Sequence, residues 1–227
     1  MPDVDSSPNS AAAERRAMIE TQIRKRGVTD RCVLEAMAAV PRHDFVPAQF
    51  RADAYADKPL PIGEGQTISQ PFIVAAMTAA LELTGSESVL EIGTGSGYQA
   101  VVLSLLANKV ITVESSTQLA LAAQERLTRL GYANVHVHNG DGSAGFPDAA
   151  PYDAILVTAA APGIPSVFAS QLREGGRLVI PVGDQENQNL VQAKLQDGRL
   201  KSRSLLACRF VPLLGRYGWS RADRDFR

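Results

Sequence analysis

The run Val89-Leu90-Glu91-Ile92-Gly93-Thr94-Gly95-Ser96-Gly97-Tyr98 carries an apolar stretch into three alternating glycines. Glycine permits a tight turn and lets a ligand press against bare backbone. Glu114 closes the next apolar run, Ile111-Thr112-Val113, with Ser115 after it, and Asp141-Gly142 follows the run beyond that. A carboxylate at the first of these positions can accept both hydroxyl protons of a ribose, by the logic of dinucleotide sites. Asp141 is placed to accept from an adenine amino group. The glycine spacing is GxGxG, with Tyr98 where a dinucleotide fingerprint has its last glycine. That fingerprint seats a pyrophosphate on the helix start. S-adenosylmethionine has no phosphate, and the altered loop suits it. On this reading Gly93, Thr94, Gly95, Ser96 and Gly97 cradle the cofactor, Glu114, Ser115, Asp141 and Gly142 hold its nucleoside, and Glu91 faces its amino-acid end from beneath the loop.

A second cluster lies upstream, in Gly63-Glu64-Gly65-Gln66-Thr67-Ile68-Ser69-Gln70-Pro71. Two readings are open. Thr67 and Ser69 can cap a helix that begins at Pro71, since proline suits the first helical turn. Alternatively, the hydroxyls and the free N–H groups of a helix start form an anion site, where a carboxylate substrate is held.

The elements that must position these residues follow from periodicity. Met18, Ile19, Ile23 and then Val33, Leu34, Met37 recur at helical spacing, broken at Gly27, with Thr29 or Asp30 as N-cap. Prolines at 41, 47, 59 and 61 make the segment from Val40 to Pro61 largely irregular. A helix is predicted from about Pro71 to Leu83. Strands then alternate with helices: 88–92, 109–114, 135–138, 152–158 and 177–182 as strands, 98–107, 117–130 and 165–172 as helices. Alternation of this kind predicts a mostly parallel, doubly wound sheet covered on both faces. Two further strands, 190–195 and 203–210, joined through Asp197-Gly198, predict an antiparallel edge. The expected organisation is a disordered tail over 1–12, one domain over 13–215 (helical to 84, α/β from 85) and a C-terminal tail over 216–227.

Several segments together resemble the protein-L-isoaspartate O-methyltransferase family. They are Val40-Pro41-Arg42-His43-Asp44-Phe45-Val46-Pro47, Tyr55-Ala56-Asp57, the 61–71 segment, the glycine loop, Tyr152-Asp153-Ala154-Ile155 and Arg209-Phe210-Val211-Pro212-Leu213. The 61–71 segment is the most specific of these, since methyltransferases in general carry the glycine loop without it. The resemblance implies a class I, Rossmann-like methyltransferase fold with an N-terminal helical extension. It implies S-adenosylmethionine as cofactor and isoaspartyl residues of damaged proteins as substrate. Ser69 takes the position of the family's active-site serine, and Gly65, Gln66, Thr67, Ile68 and Phe72 fall where the family lines its pocket. A related carboxylate methyltransferase with a dedicated peptide substrate, and a module that binds the cofactor without turnover, are the alternatives. A repair enzyme must accept many sequence contexts, so a shallow, backbone-directed peptide groove is expected.

Composition sets outer bounds. The 227 residues are 45% hydrophobic and 21% charged, with a net charge of −1, which argues against a nucleic-acid partner. Two isolated cysteines, Cys32 and Cys208, suit a reducing cytoplasm. No membrane association is expected, no metal site is assigned, and a monomer is anticipated. His136 and His138 share a strand face without a third ligand and are read as surface or packing residues. Arg24-Lys25-Arg26 is read as a solvated helix end. His43 receives no role. Tyr217 and Trp219 either close over the cofactor or belong to a mobile tail.

Overall fold

The computed structural model describes residues 8–220. An N-terminal helical part packs against a seven-stranded sheet. Helix α1 (Pro8–Met18) runs into a π-helical turn at Ile19–Ile23 and ends at left-handed Gly27. It starts inside the segment expected to be disordered: Ala11, Ala12 and Ala13 are strong helix formers, and Ser10 Oγ bonds Glu14 one turn on. Residues 1–7 lie outside the described part. Asp30 caps α2 (Arg31–Ala39) by accepting from Val33 N–H at 3.1 Å. Val33, Leu34, Ala36 and Met37 are its buried face.

The proline-rich stretch contains two short 3-10 segments, Arg42–Phe45 and Ala48–Asp53. A small antiparallel hairpin follows, β1 (Leu60–Gly63) with β2 (Gln66–Ile68). Its turn residues, Glu64 and Gly65, both have positive φ, the geometry that matches hairpin twist. The sequence reading had no strands here. Helix α3 (Pro71–Ala79) comes next, shorter than expected.

Then β3 (Ser88–Ile92), α4 (Tyr98–Ser104), β4 (Lys109–Glu114), α5 (Thr117–Leu130), β5 (Val135–Asn139), β6 (Tyr152–Val157), α6 (Ser166–Gln171) and β7 (Leu172–Gly183) alternate as predicted. The hairpin of β8 (Gln188–Gln196) and β9 (Arg199–Cys208) extends the sheet, turning at Asp197-Gly198. The strand order is β5-β4-β3-β6-β7-β8-β9, parallel through β7 and antiparallel beyond. Leu90, Ile92, Ile111, Val113, Ile155 and Val157 fill one face. Val89, Val110, Ala154, Leu156 and the α4 side chains fill the other, together with the N-terminal helices. The chain leaves β3 in one direction for β4 and β5, and the later strands build on its other side. That switch point opens a crevice at the C-terminal ends of β3 and β6.

Candidate active site

The crevice is lined by Ile92–Ser96 after β3, Val113–Ser115 at the end of β4, Gly142 after β5, and Thr158 and Ala159 after β6. Gln66–Ser69 form one wall, and Val211–Leu214 form a roof. The structure thus gathers Gln66, Thr67, Ile68, Ser69, Gly93, Thr94, Gly95, Ser96, Glu114, Ser115 and Gly142 from three strand ends and the small hairpin.

The glycine loop is tied down by its surroundings. Thr158 Oγ1 donates to the carbonyls of Ile92 and Gly93 at 2.9 and 2.8 Å. Gly93 has φ +94°, and a Cβ there would collide with Thr158 Oγ1. The Glu114 carboxylate accepts from Gly95 N–H at 2.9 Å through Oε2 and from Ser116 N–H at 2.9 Å through Oε1. One carboxylate therefore joins the loop to the start of α5. It retains acceptor capacity on Oε2 at the crevice wall, which suits a ribose hydroxyl.

Other expected residues sit differently. Glu91 is fully buried and does not line the crevice. It accepts from Thr112 Oγ1 at 2.6 Å, and Thr112 bonds Thr94 Oγ1 at 2.7 Å. Glu91 therefore reaches the loop through two threonines instead of facing the cofactor's amino-acid end. Burial pushes its carboxyl up to about 8, against the Thr112 bond. Gly97 caps α4 with φ +86° and lies behind the loop. Gly65 is in the hairpin turn, and Phe72 lies under the Arg26 guanidinium, 3.5 Å from its ring centre.

Asp141 borders an adjoining opening with Glu64, Gln66, Ser115 and Gly140. Its Oδ1 accepts from Ser143 N–H and Oγ at 2.9 and 2.7 Å, and its Oδ2 from Arg216 N–H at 2.8 Å. Burial acts to raise its pKa, but these hydrogen bonds outweigh it and hold the carboxyl below the usual range. The C-terminal segment is docked: Tyr217 N–H donates to Ser143 Oγ, and Trp219 Nε1 donates to Ala160 O at 3.0 Å. Residues 211–214 roof the crevice and Trp219 borders the adjoining openings, while Tyr217 is tied to the site by its N–H bond to Ser143. Residues 221–227 of the expected tail lie outside the described part.

Neither Thr67 nor Ser69 caps α3. Its N-cap is Gln70, without a side-chain cap bond, and the Gln70 amide donates to Asp57 O at 2.9 Å. Pro71 does occupy the first turn. The Ser69 hydroxyl is not engaged by any described residue; only its carbonyl is, by Arg42. Ser69, Thr67 and Thr158 also line an open groove that adjoins the crevice, with Gln70, Ile73, Cys208, Arg209 and Phe210. The groove is lined by polar and apolar residues alike.

Residues 13–218 match the family model "Protein-L-isoaspartate(D-aspartate) O-methyltransferase". The chain belongs to this family. A relative from Geobacter metallireducens named "Protein-L-isoaspartate O-methyltransferase" is 57% identical over 206 residues, covering 90% of this chain and 95% of that one. One from Koribacter versatilis with the same name is 53% identical over 93% of this chain and 95% of its own. Among solved structures, a protein-L-isoaspartate O-methyltransferase superposes with a TM-score of 0.79 at 32% identity, covering 90% of this chain and 67% of that one. A Plasmodium falciparum protein described as a putative member, in complex with S-adenosyl-L-homocysteine, gives 0.75 at 25% identity over 88% and 98%. The class I methyltransferase fold read from the sequence is the fold of this isoaspartyl methyltransferase family member.

Sequence reasoning missed Thr112, Tyr98, Gln99, Thr158 and the roof residues 211–214 as parts of the site. Thr158 carried a signal, a hydroxyl at the end of the strand neighbouring β3. The roof carried one in Val211-Pro212-Leu213, quoted for the resemblance but given no role.

Proposed function

We propose that the chain transfers the methyl group of S-adenosylmethionine to the free carboxylate of isoaspartyl residues in damaged proteins, which initiates their repair. The observation that carries the reading is the position of Ser69, which lines both the strand-end crevice and the open groove. A methyl donor in the first and a peptide carboxylate in the second would meet at its side chain.

S-adenosylmethionine, when bound, supplies an electrophilic sulfonium methyl group. Gly93, Thr94, Gly95, Ser96, Glu114, Ser115 and Gly142 would hold it, with Asp141 at the adenine edge. Gly97 and Glu91 would support that loop from behind, and Gly65 and Phe72 would support the Gln66–Ser69 wall. A carboxylate has an ordinary pKa near ~4 and is ionised at neutral pH, so no general base is needed. The wall shared by crevice and groove offers the neutral hydroxyls of Thr67 and Ser69, while that of Thr158 is committed to the Ile92 and Gly93 carbonyls. Ser69 would donate to one carboxylate oxygen and leave the other aligned with the methyl group, a rate gain from orientation. A cation in direct contact would bind more tightly but weaken the nucleophile.

The reading extends to a single unit over 13–215 acting as a cytoplasmic monomer without a nucleic-acid partner. The net charge of −1 and the free thiols of Cys32 and Cys208 support it.

The test uses two synthetic peptides that differ only in Asp against isoaspartate. Each is incubated with methyl-labelled S-adenosylmethionine, and base-labile methanol is counted. Label on the isoaspartyl peptide alone is expected, with a large loss of kcat and little change in cofactor affinity for Ser69→Ala. Cofactor binding without label on either peptide would falsify the reading and favour a dedicated substrate or a non-catalytic module.

A further inference from the structure

Arg42 is fully buried, yet it belongs to no ion pair among the described residues. Its Nε donates to Ala54 O at 2.8 Å and its Nη2 to Ser69 O at 2.7 Å. Its Nη1 has no partner, and neither has the buried hydroxyl of Tyr98. The guanidinium carbon lies 4.9 Å from the Tyr98 ring centre, and Tyr98 lines the crevice. Burying an unpaired guanidinium is costly, and hydrogen bonds to carbonyls offset only part of that cost. A tie to the Ser69 carbonyl alone could be made by a neutral donor. The permanent charge therefore calls for a second function, and of the three residues it touches, Ala54, Ser69 and Tyr98, the last two line the crevice.

We propose that Arg42 is a positioning residue for the substrate subsite, fixing the Ser69 segment through its carbonyl while setting an unneutralised positive charge one residue behind the bound carboxylate. This rests on the reading of Ser69 as the carboxylate's donor. The charge acts through protein, where screening is weak, and favours an anion in the subsite without touching the nucleophilic oxygen. Two other guanidinium groups line the groove: Arg26 is already drawn to Asp57 Oδ2 at 3.0 Å and to the Phe72 ring, and Arg209 is exposed, where solvent screens its charge. Arg42 is thus the buried cation beside this wall, and neither a partner among the described residues nor solvent cancels its field.

The experiment measures equilibrium binding of two peptides to the intact protein saturated with S-adenosylhomocysteine. One carries isoaspartate, and the other carries its neutral side-chain amide analogue, isoasparagine. Arg42→Met removes charge and hydrogen bonds, and Arg42→Lys keeps the charge. Thermal melts and S-adenosylhomocysteine affinity are recorded for both. The wild-type protein is expected to prefer the carboxylate, R42M to lose about tenfold of that preference, and R42K to keep most of it. Any change in S-adenosylhomocysteine affinity through Tyr98, which lines the crevice, is separated from the peptide preference because the peptides are compared on saturated protein. A folded R42M with undiminished preference overturns the role of Arg42 alone. If R42M does not fold, R42K decides: preference kept supports the charge, preference lost in a folded R42K overturns it. Wild-type protein that binds both peptides equally overturns the carboxylate subsite itself, and the role of Arg42 with it.

Discussion

Glu91 offers a quantitative test of the packing beneath the glycine loop. Replacing it by Gln keeps shape and keeps an acceptor for the Thr112 hydroxyl, but removes the titration. The folded carboxyl lies at about 8, against an ordinary value of 4.5, because burial disfavours its charged form. The sign follows from proton linkage: the folded state holds the proton more tightly, so its stability is full below the ordinary value and falls as pH rises towards the folded one. Each pH unit in that window costs about 1.4 kcal/mol, and above the folded pKa the loss stops growing. Between about pH 5.5 and about pH 7.5 the native protein should therefore lose roughly 2 to 3 kcal/mol through this group. Glu91→Gln escapes that loss. Urea denaturation of both proteins at the two pH values gives the difference directly. A gap of about 1 kcal/mol at the acid end should widen to roughly 4 kcal/mol at the neutral end, with the variant the more stable. A stability gap that does not change with pH would refute the argument, because it would mean that Glu91 titrates alike in folded and unfolded chains.

Three further outcomes are expected. Gly93→Ala forces a side chain onto Thr158 Oγ1 at a positive φ, and should lower cofactor affinity at least tenfold, about 1.4 kcal/mol, by titration calorimetry. Asp141→Asn gives up the charge that receives Arg216 N–H and Ser143, so hydrogen exchange at the Arg216 amide should quicken and cofactor affinity fall by about 1–2 kcal/mol, while peptide affinity measured without cofactor stays unchanged. Asp30→Ala removes the α2 cap and should cost about 1 kcal/mol in a chemical melt without altering kcat.

The α/β core was legible because each of its signals is local. Continuous apolar runs marked β3, β4 and β6, and Gly131 ended α5 in the left-handed conformation that a C-cap requires. The β1–β2 hairpin was not legible. Its strands are short, and Pro59 and Pro61 argue against a strand; Pro61 is tolerated in this two-stranded sheet, opposite Thr67. Thr67 and Ser69 invited a capping assignment because hydroxyls before a proline usually cap, whereas here the hairpin turns them along the crevice wall. Glu91 was assigned to the cofactor because an acidic residue beside a glycine loop suggests a ligand contact. Strand alternation, together with Thr112 on the neighbouring strand, turns it inward. Arg42 was passed over because arginine in an irregular segment ordinarily faces water. Its burial depends on Ala54, Ser69 and Tyr98, contacts that no local pattern announces.

The crevice and the groove meet along Thr67, Ser69 and Thr158, and they are bordered by different residues at their other ends: the crevice adjoins the opening at Asp141 and Gly215, the groove runs to Gln185 and Arg209. Neither reactant need pass through the other's doorway. Both must be seated together for reaction, yet either can arrive first, so initial-rate plots at several fixed concentrations of one reactant should intersect and not run parallel. Spent nucleoside can also leave while a polypeptide stays docked. A long, partly folded chain held at a frayed segment can then be presented to a fresh methyl donor without a second search for its damaged residue.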